Sequence, residues 1–141
     1  MLFMGTYTPK LDDKARLFLP AKFRDGLAEG LVVTRGQDEC LYVWPQDVFA
    51  EEAARAAARS HTSRSARNYR RVLFSGADEG KPDKQGRIGI PAHLREYAGL
   101  ERDVVVIGVM DKVEIWNPAR WEEFPAGAVQ DFSDLDEDDD D

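Results

Sequence analysis

The sequence predicts a mainly β protein with short helices, an α+β fold built from two internal repeats with a helical insert between them. Three observations lead to this prediction. A motif that begins at Asp12 returns at Asp83, 71 positions further on. Short β-branched runs bounded by glycine or proline follow each copy, and an alanine- and arginine-rich segment separates the copies. Two repeats are too few for a solenoid, so we expect a single pseudo-twofold domain.

Each copy is predicted to run as strand, polar turn, strand, short helix, strand, hairpin turn and strand. In the first copy the strands are expected over 3–9, 16–19, 31–34 and 41–44. The short helix over 21–27 follows Pro20, because proline suits the first turn of a helix. In the second copy the strands are expected near 74–79, 87–90, 104–109 and 113–116, and the helix near 92–98.

The insert between the copies is predicted to hold two helices, from Asp47 to Ala58 and from Arg64 to Val72. The second copy ends with only the start of such a helix, from Pro118 to Phe124. The predicted organisation is therefore a first repeat, a helical connector, a second repeat and an acidic, disordered tail. Their boundaries are 1–46, 47–73, 74–125 and 126–141.

Composition restricts the functional classes. The formal net charge of the 141 residues is −8, and residues 131–141 hold eight acidic side chains and no basic one, so the rest of the chain is neutral. Such an acidic block repels itself and buries little surface, which is typical of disorder. The single cysteine, Cys40, excludes an internal disulfide and is usual in a reducing compartment. With no signal-peptide pattern and no membrane-length apolar run, we expect a cytoplasmic protein without a membrane partner.

The repeated motif places an aspartate four residues before an arginine in what we interpret as a turn between two strands. The pairs are Asp12 with Arg16 and Asp83 with Arg87. Nearby proline and glycine argue against a helix. An aspartate at such a turn can accept hydrogen bonds from backbone amides two or three residues on. We therefore predict that Asp12 and Asp83 fix their loops.

The motif continues with an apolar strand, a proline and a short helix, and in this form it resembles the AbrB-like swapped-hairpin domain. Two copies with a helical insert and aromatic-rich hairpins, over residues 1 to about 125, resemble the MraZ family of bacterial transcriptional regulators. The resemblance implies a β-barrel formed by two interleaved repeats and assembly of the subunits into a ring-like homo-oligomer. It also implies binding of double-stranded DNA at direct G-rich repeats upstream of the family's own operon, in the division and cell-wall gene cluster, usually as a repressor.

Carried over by position, the resemblance implies DNA-binding roles for Arg16 with Lys14 and for Arg87 with Lys84. Arginine can donate two hydrogen bonds to guanine, whereas lysine suits phosphates. The family's loop has glycine directly before the arginine, as at Gly86, but the first copy has Ala15. If this position requires a positive φ, Ala15 is strained.

Other kinds of site have little support in the sequence. No phosphate-binding glycine motif is present, His61 and His93 are isolated, and no carboxylate pair marks a catalytic scaffold. We therefore expect no enzyme activity, catalytic residue, cofactor, metal or small-molecule substrate. The arginines of the connector are interpreted as a solvated face, with DNA or subunit contact as alternatives. Arg24 and Arg95 are expected to pair with Asp25 or Glu96, or with another subunit, rather than to bind DNA. The alternative function is an AbrB-like antitoxin or protein-interaction module that uses the acidic tail.

Overall fold

The computed structural model describes residues 2–135, apart from the side chains at positions 125 and 126. The strands are β1 (Thr6–Tyr7), β2 (Arg16–Phe18), β3 (Leu31–Arg35), β4 (Leu41–Pro45), β5 (Asp78–Gly80), β6 (Arg87–Gly89), β7 (Val105–Gly108) and β8 (Val113–Trp116). The α-helices are α1 (Ala21–Leu27), α2 (Gln46–Ala58), α3 (Arg64–Ser75), α4 (Ala92–Ala98) and α5 (Pro118–Ser133). The mixed α+β class and the two repeats of the sequence prediction are confirmed.

Six strands form one antiparallel sheet in the order β1-β7-β8-β4-β3-β5, and β2 pairs with β6 as a separate two-stranded ribbon. Alternate residues of the sheet lie on opposite faces, as strand geometry requires. In β3, Leu31 and Val33 belong to one buried cluster and Val32 belongs to another. Both faces of the sheet are therefore covered by apolar side chains.

The first face packs against the ribbon and the two short helices. Leu17 of β2, Phe23 of α1 and Leu94 of α4 are at most 1% exposed in this cluster, and Ile88 of β6 is 4% exposed. Because each repeat supplies one ribbon strand and one short helix, neither repeat can bury its apolar face without the other.

The second face is covered by the longer helices. Trp44 of β4 contacts Phe49 of α2 edge-on at 5.6 Å between ring centroids, and Phe49 contacts Phe74 of α3 at 5.3 Å. In the second repeat Trp116 of β8 packs against Trp121 of α5 at 5.4 Å. The hairpin aromatics that recur in the sequence are therefore core residues of this layer.

The prediction of a β-barrel is wrong for residues 2–135, because their strands do not close into one. The edge strands β1 and β5 do not pair with each other, and the ribbon strands pair with one another rather than extending the sheet. The edge strand β5 has only three residues, all exposed, so it offers no apolar side chains to a closing strand. The ribbon instead covers the sheet through side-chain packing of Leu17 and Ile88.

Three predicted boundaries also differ from the structure. The strand expected near 74–79 begins only at Asp78, because α3 continues to Ser75 and packs Leu73 and Phe74 into the second cluster. The first strand is reduced to Thr6–Tyr7. The helix expected to end at Phe124 continues to Ser133, and positions 136–141 of the predicted disordered tail lie outside the described residues. None of the helices between residues 2 and 135 has the length and apolar character that crossing a bilayer requires.

Candidate nucleic-acid interface

The β2–β6 ribbon brings the two copies of the motif side by side. Its register pairs Arg16 with Gly89, Leu17 with Ile88, and Phe18 with Arg87. Because cross-strand partners share a face, the central pair enters the core while both outer pairs lie on the opposite face. Leu17 and Ile88 are buried, and Phe18 is 44% exposed. The outer face of the ribbon therefore carries Arg16, Phe18, Arg87 and Gly89.

The first loop is organised by a single carboxylate. Asp12 Oδ1 accepts hydrogen bonds from the backbone amides of Lys14 and Arg16, both at 2.9 Å. Its other oxygen, Oδ2, accepts a hydrogen bond from Arg16 Nε at 2.8 Å. The carboxylate thus holds the turn backbone and the arginine side chain at once.

The second loop has the same hydrogen bonds. Asp83 Oδ1 accepts from the amides of Gln85 and Arg87 at 2.9 Å, and Oδ2 accepts from Arg87 Nε at 2.7 Å. The amide of Arg87 lowers the pKa of the Asp83 carboxyl below its ordinary value, and that of Arg16 does the same for Asp12. Both carboxylates are therefore held in the ionised form that these bonds require.

The arginines keep their terminal NH2 groups available. Among residues 2–135 the structure records hydrogen bonds only from Nε for the side chains of Arg16 and Arg87. An arginine fixed through Nε is oriented before binding, so less side-chain freedom is lost when Nη1 and Nη2 contact a ligand. The arrangement suits recognition of a partner that presents two acceptors.

The two arginines differ in their surroundings. Arg87 lies over the exposed ring of Phe18, with 5.7 Å from its Cζ atom to the ring centroid, and its side chain is 20% exposed. Arg16 faces Gly89 across the ribbon, which carries no side chain, and is 33% exposed. Arg16 is therefore the more accessible of the two guanidinium groups. Phe18 and Gly89 were not predicted to lie on this face, although strand alternation from Leu17 places Phe18 there.

The lysines and the helix arginines surround the ribbon. Lys14 and Lys84 are exposed at the loop tips, and neither forms an ion pair with another residue of the described chain. The Nε atoms of Arg24 and Arg95 donate to the carbonyl oxygens of Leu19 and Ile90, at 3.0 and 2.9 Å. The expected carboxylate partners of Arg24 and Arg95 are not found among residues 2–135; their Nε atoms cap the ribbon strands instead.

The residue before each arginine adopts the left-handed region. The φ angle is 57° at Ala15 and 79° at Gly86. Gly86 also permits a close approach between the repeats, because a Cβ atom there would lie 2.6 Å from Arg24 Nε. Position 15 therefore needs the conformation that glycine adopts without strain, yet it carries alanine.

We expect Ala15→Gly to stabilise the protein by about 0.5–1 kcal/mol, because relief of roughly 1–2 kcal/mol of left-handed strain exceeds the entropy cost of glycine. Gly86→Ala is the matched reverse change and should destabilise by about 1 kcal/mol or more. Urea unfolding at equal protein concentration measures both. A loss of stability in Ala15→Gly would contradict this account of the loop.

Other candidate groups do not form a second site. Burial is the main cause that raises the pKa of the Cys40 thiol, so it is held protonated, and its Sγ lies 3.2 Å from the carbonyl of Gln37. His93 Nε2 lies 3.0 Å from the carbonyl oxygen of Gly76. Within residues 2–135 no group of three or more histidine, cysteine, aspartate or glutamate side chains could hold a metal ion.

The connector arginines are largely occupied within the chain. Arg55 pairs with Glu52 at 2.9 Å, and Arg59 lies 4.9 Å from the ring centroid of Tyr69. Tyr69 Oη in turn donates to Glu52 Oε1 at 2.7 Å, which ties α2 to α3. These contacts tie the two connector helices to each other. Arg64 and Arg71 remain exposed on the connector, so the ribbon is one of two surfaces of the described chain that carry accessible cationic groups.

Comparison with known proteins identifies the family. The model described as "MraZ protein, putative antitoxin-like" matches residues 2–72 and again 73–141. A protein of Nocardioides sp. named Transcriptional regulator MraZ is 70% identical over 97% of this chain and 95% of its own length. Proteins of the same name from Salinispora arenicola and Cutibacterium acnes are 53% and 47% identical, covering 96% and 95% of this chain and 96% and 94% of their own lengths. The chain, with its two matched repeats, belongs to the MraZ family of transcriptional regulators.

Proposed function

We propose that this regulator binds double-stranded DNA by placing the outer face of the β2–β6 ribbon in the major groove. The supporting observation is that Asp12 and Asp83 present the guanidinium groups of Arg16 and Arg87 on one exposed face. The major groove of B-DNA admits a two-stranded ribbon, and its guanines offer paired acceptors O6 and N7 to arginine. Direct G-rich repeats in a promoter region are therefore the target class that suits this face.

Roles are assigned by exposure and chemistry. Arg16, which faces Gly89, is the main reader of guanine, and Arg87, which lies over Phe18, supports it. Lys14 and Lys84 contact phosphates, which add affinity with little sequence information. Asp12 and Asp83 fix the loops and do not contact DNA. The ordered ribbon has only three residues in each strand, so one subunit reads few base pairs.

Specific regulation then requires several subunits. We infer a ring-like homo-oligomer whose ribbons engage successive boxes, since linked sites raise the effective concentration of the next contact without new interactions. Occupancy of boxes upstream of the chain's own operon, in the division and cell-wall gene cluster, would block transcription, which makes the protein a repressor. Function inside the cytoplasm, on the nucleoid, follows from this proposal.

A protein-interaction role is the second candidate. The family model's description includes the term antitoxin-like, and α5 exposes Val129 and Phe132, with exposed Leu135 just after the helix ends. DNA binding by the ribbon remains the better supported function, because Asp12 and Asp83 orient two arginines on its exposed face.

Binding of the purified protein to its own upstream region tests the proposal. A duplex that carries the direct repeats and a shuffled duplex of equal composition are compared by fluorescence anisotropy at the same salt concentration. We expect the repeats to be preferred by about 10³-fold or more, as for specific regulators in general. Footprinting should then show protection at each repeat. Equal affinity for both duplexes would contradict sequence-specific binding.

A further inference from the structure

Phe18 is the apolar side chain on the outer face of the β2–β6 ribbon. The other positions of that face carry Arg16, Arg87 and Gly89. Phe18 is 44% exposed, whereas its strand neighbour Leu17 is fully buried. A single exposed apolar residue needs no explanation by itself, but this ring lies beside two guanidinium groups on the proposed DNA-binding face. The ring therefore faces any duplex that the two arginines contact.

The fold does not require the open position opposite Arg16. A Cβ atom at Gly89 would have no heavy atom within 4 Å, so the space beside this strand is empty. The φ angle of Gly89 is not in the left-handed region, so the backbone there tolerates other residues. Glycine weakens a strand and often marks a place where a ligand approaches closely. The outer face thus has a ring at Phe18 and clearance at Gly89.

Strand geometry determines the spacing of these groups. Arg16 and Phe18 are two residues apart on β2, so about 6.6 Å separates them along the strand. Successive base pairs of B-DNA are about 3.4 Å apart. A ribbon that follows the groove therefore brings Phe18 roughly two base steps from the base that Arg16 contacts. At that level Phe18 lies opposite Arg87.

Arg87 determines which base the ring can reach. Its Cζ atom lies over the ring of Phe18, 5.7 Å from the ring centroid, and its Nε donates to Asp83. When Nη1 and Nη2 donate to O6 and N7 of a guanine, the guanidinium group lies close to the plane of that base. The ring of Phe18 then lies out of that plane and faces an adjacent base pair.

Thymine is the base whose major-groove edge suits a phenylalanine ring. Adenine, cytosine and guanine present hydrogen-bond donors and acceptors there, whereas thymine adds the apolar C5-methyl group. The ring has no strong donor or acceptor, so packing it against the amino group of adenine or cytosine would leave that group without a partner. Contact with the methyl group removes apolar surface from water on both sides.

We propose that Phe18 contacts the C5-methyl group of a thymine next to the guanine that Arg87 reads. The proposal rests on the proposed function, because it requires the outer face of the ribbon to lie in the major groove. Phe18 is then a specificity-determining residue. Arg87 and Phe18 together select a guanine with a neighbouring thymine, whereas Arg16, beside Gly89, selects a guanine alone. Two nearly identical motifs therefore read different bases.

Replacement of thymine by deoxyuridine tests the contact, because it removes the methyl group and keeps every hydrogen-bonding group. The duplex that carries the chain's own upstream repeats is compared by fluorescence anisotropy with the same duplex carrying deoxyuridine at every thymine. We expect the unmodified protein to bind the thymine duplex about fourfold more tightly for each engaged ribbon, the effect of burying one methyl-sized group. Phe18→Ala should lose this preference.

Comparison of the two proteins on the two duplexes isolates the contact. Removal of methyl groups also changes the stiffness of DNA, but that change affects both proteins equally, so the difference between their preferences measures the coupling of Phe18 to the methyl group. A ring that only supports Arg87 would give a different result. Phe18→Ala would then weaken binding to both duplexes by the same factor, and this outcome would overturn the thymine contact.

Two further variants serve as controls. Phe18→Leu keeps an apolar side chain but offers no ring to Arg87, so it should retain most of the thymine preference. Leu2→Ala removes an exposed apolar side chain outside the ribbon, since Leu2 is 65% exposed, and it should retain the full preference. Thermal unfolding followed by circular dichroism confirms that each variant is folded.

Single deoxyuridine substitutions locate the thymine. We expect the preference to map to a thymine next to a guanine. Replacing that guanine by 7-deazaguanine, which lacks N7, should weaken binding of the unmodified protein more than binding of Arg87→Ala. A sensitive thymine with no guanine beside it would contradict the pairing of Phe18 with Arg87.

The results distinguish this proposal from the proposed function. Equal affinity of the unmodified protein for the thymine and deoxyuridine duplexes would overturn the methyl contact, while a preference for the repeats over shuffled DNA would still support reading of guanine by the arginines. Equal affinity for the repeats and for shuffled DNA would instead overturn the proposed function, and with it the contact.

Discussion

Arg16→Ala should lower specific affinity for the operator repeats by about 10- to 100-fold for each engaged ribbon, because a bidentate arginine–guanine pair contributes roughly 1–3 kcal/mol of discrimination. We propose Arg16 as the main reader because its guanidinium is the more accessible of the two, anchored to Asp12 through Nε and facing Gly89. Fluorescence anisotropy with the repeat duplex and its shuffled counterpart measures the change. Binding to shuffled DNA should fall much less, because phosphate contacts from lysines persist.

Three variants control for this result. Arg16→Lys retains the charge but loses the planar fork, so it should lose specificity while keeping most non-specific affinity. Arg87→Ala should have the smaller effect of the two arginine deletions, because Phe18 covers that guanidinium. Arg55→Ala removes an arginine far from the ribbon and should leave DNA binding unchanged. A larger loss in Arg87→Ala than in Arg16→Ala would reverse the assignment of main and supporting reader.

Much of the fold could be predicted because local signals repeat. The motif recurs 71 positions later, prolines precede both short helices, and the hairpins pair the strands that the β-branched runs predicted. Turn chemistry predicted hydrogen bonds to the aspartates from amides two or three residues on. The structure has such bonds two residues on, from Lys14 to Asp12 and from Gln85 to Asp83, and further ones four residues on. These features depend on residues that are close together in the sequence, so they can be predicted from the sequence alone.

The remaining features depend on contacts between distant parts of the chain. Pairing of β2 with β6 joins residues from different repeats, and this register places Phe18 beside Arg87 and Gly89 beside Arg16. The residues around each motif do not by themselves specify that the two arginines have different neighbours across the ribbon. The extent of α3 is likewise set by packing of Leu73 and Phe74 into the second cluster, which overrode the β-like appearance of residues 74–79.

Phe23→Ala should lower the free energy of unfolding by about 3–5 kcal/mol, the usual cost of truncating a buried phenylalanine. Phe23 is 1% exposed in the cluster that joins the two repeats. Its ring contacts the rings of Phe3 and Tyr7 edge-on, at centroid distances of 5.5 and 5.2 Å from its own. The substitution therefore removes two aromatic contacts together with the buried area. Urea unfolding monitored by circular dichroism measures the change.

Phe18→Ala is the matched control, because it removes the same side chain from the exposed face of the ribbon. It should cost at most about 1 kcal/mol, the size of an exposed cation–π contact with Arg87. Both variants must be unfolded at one protein concentration, since subunit association would make apparent stability depend on concentration. Equal losses in the two variants would show that α1 does not anchor the shared core. A large loss in Phe23→Ala alone would mean that α1 anchors the core shared by the two repeats, on which the proposed DNA-reading ribbon packs.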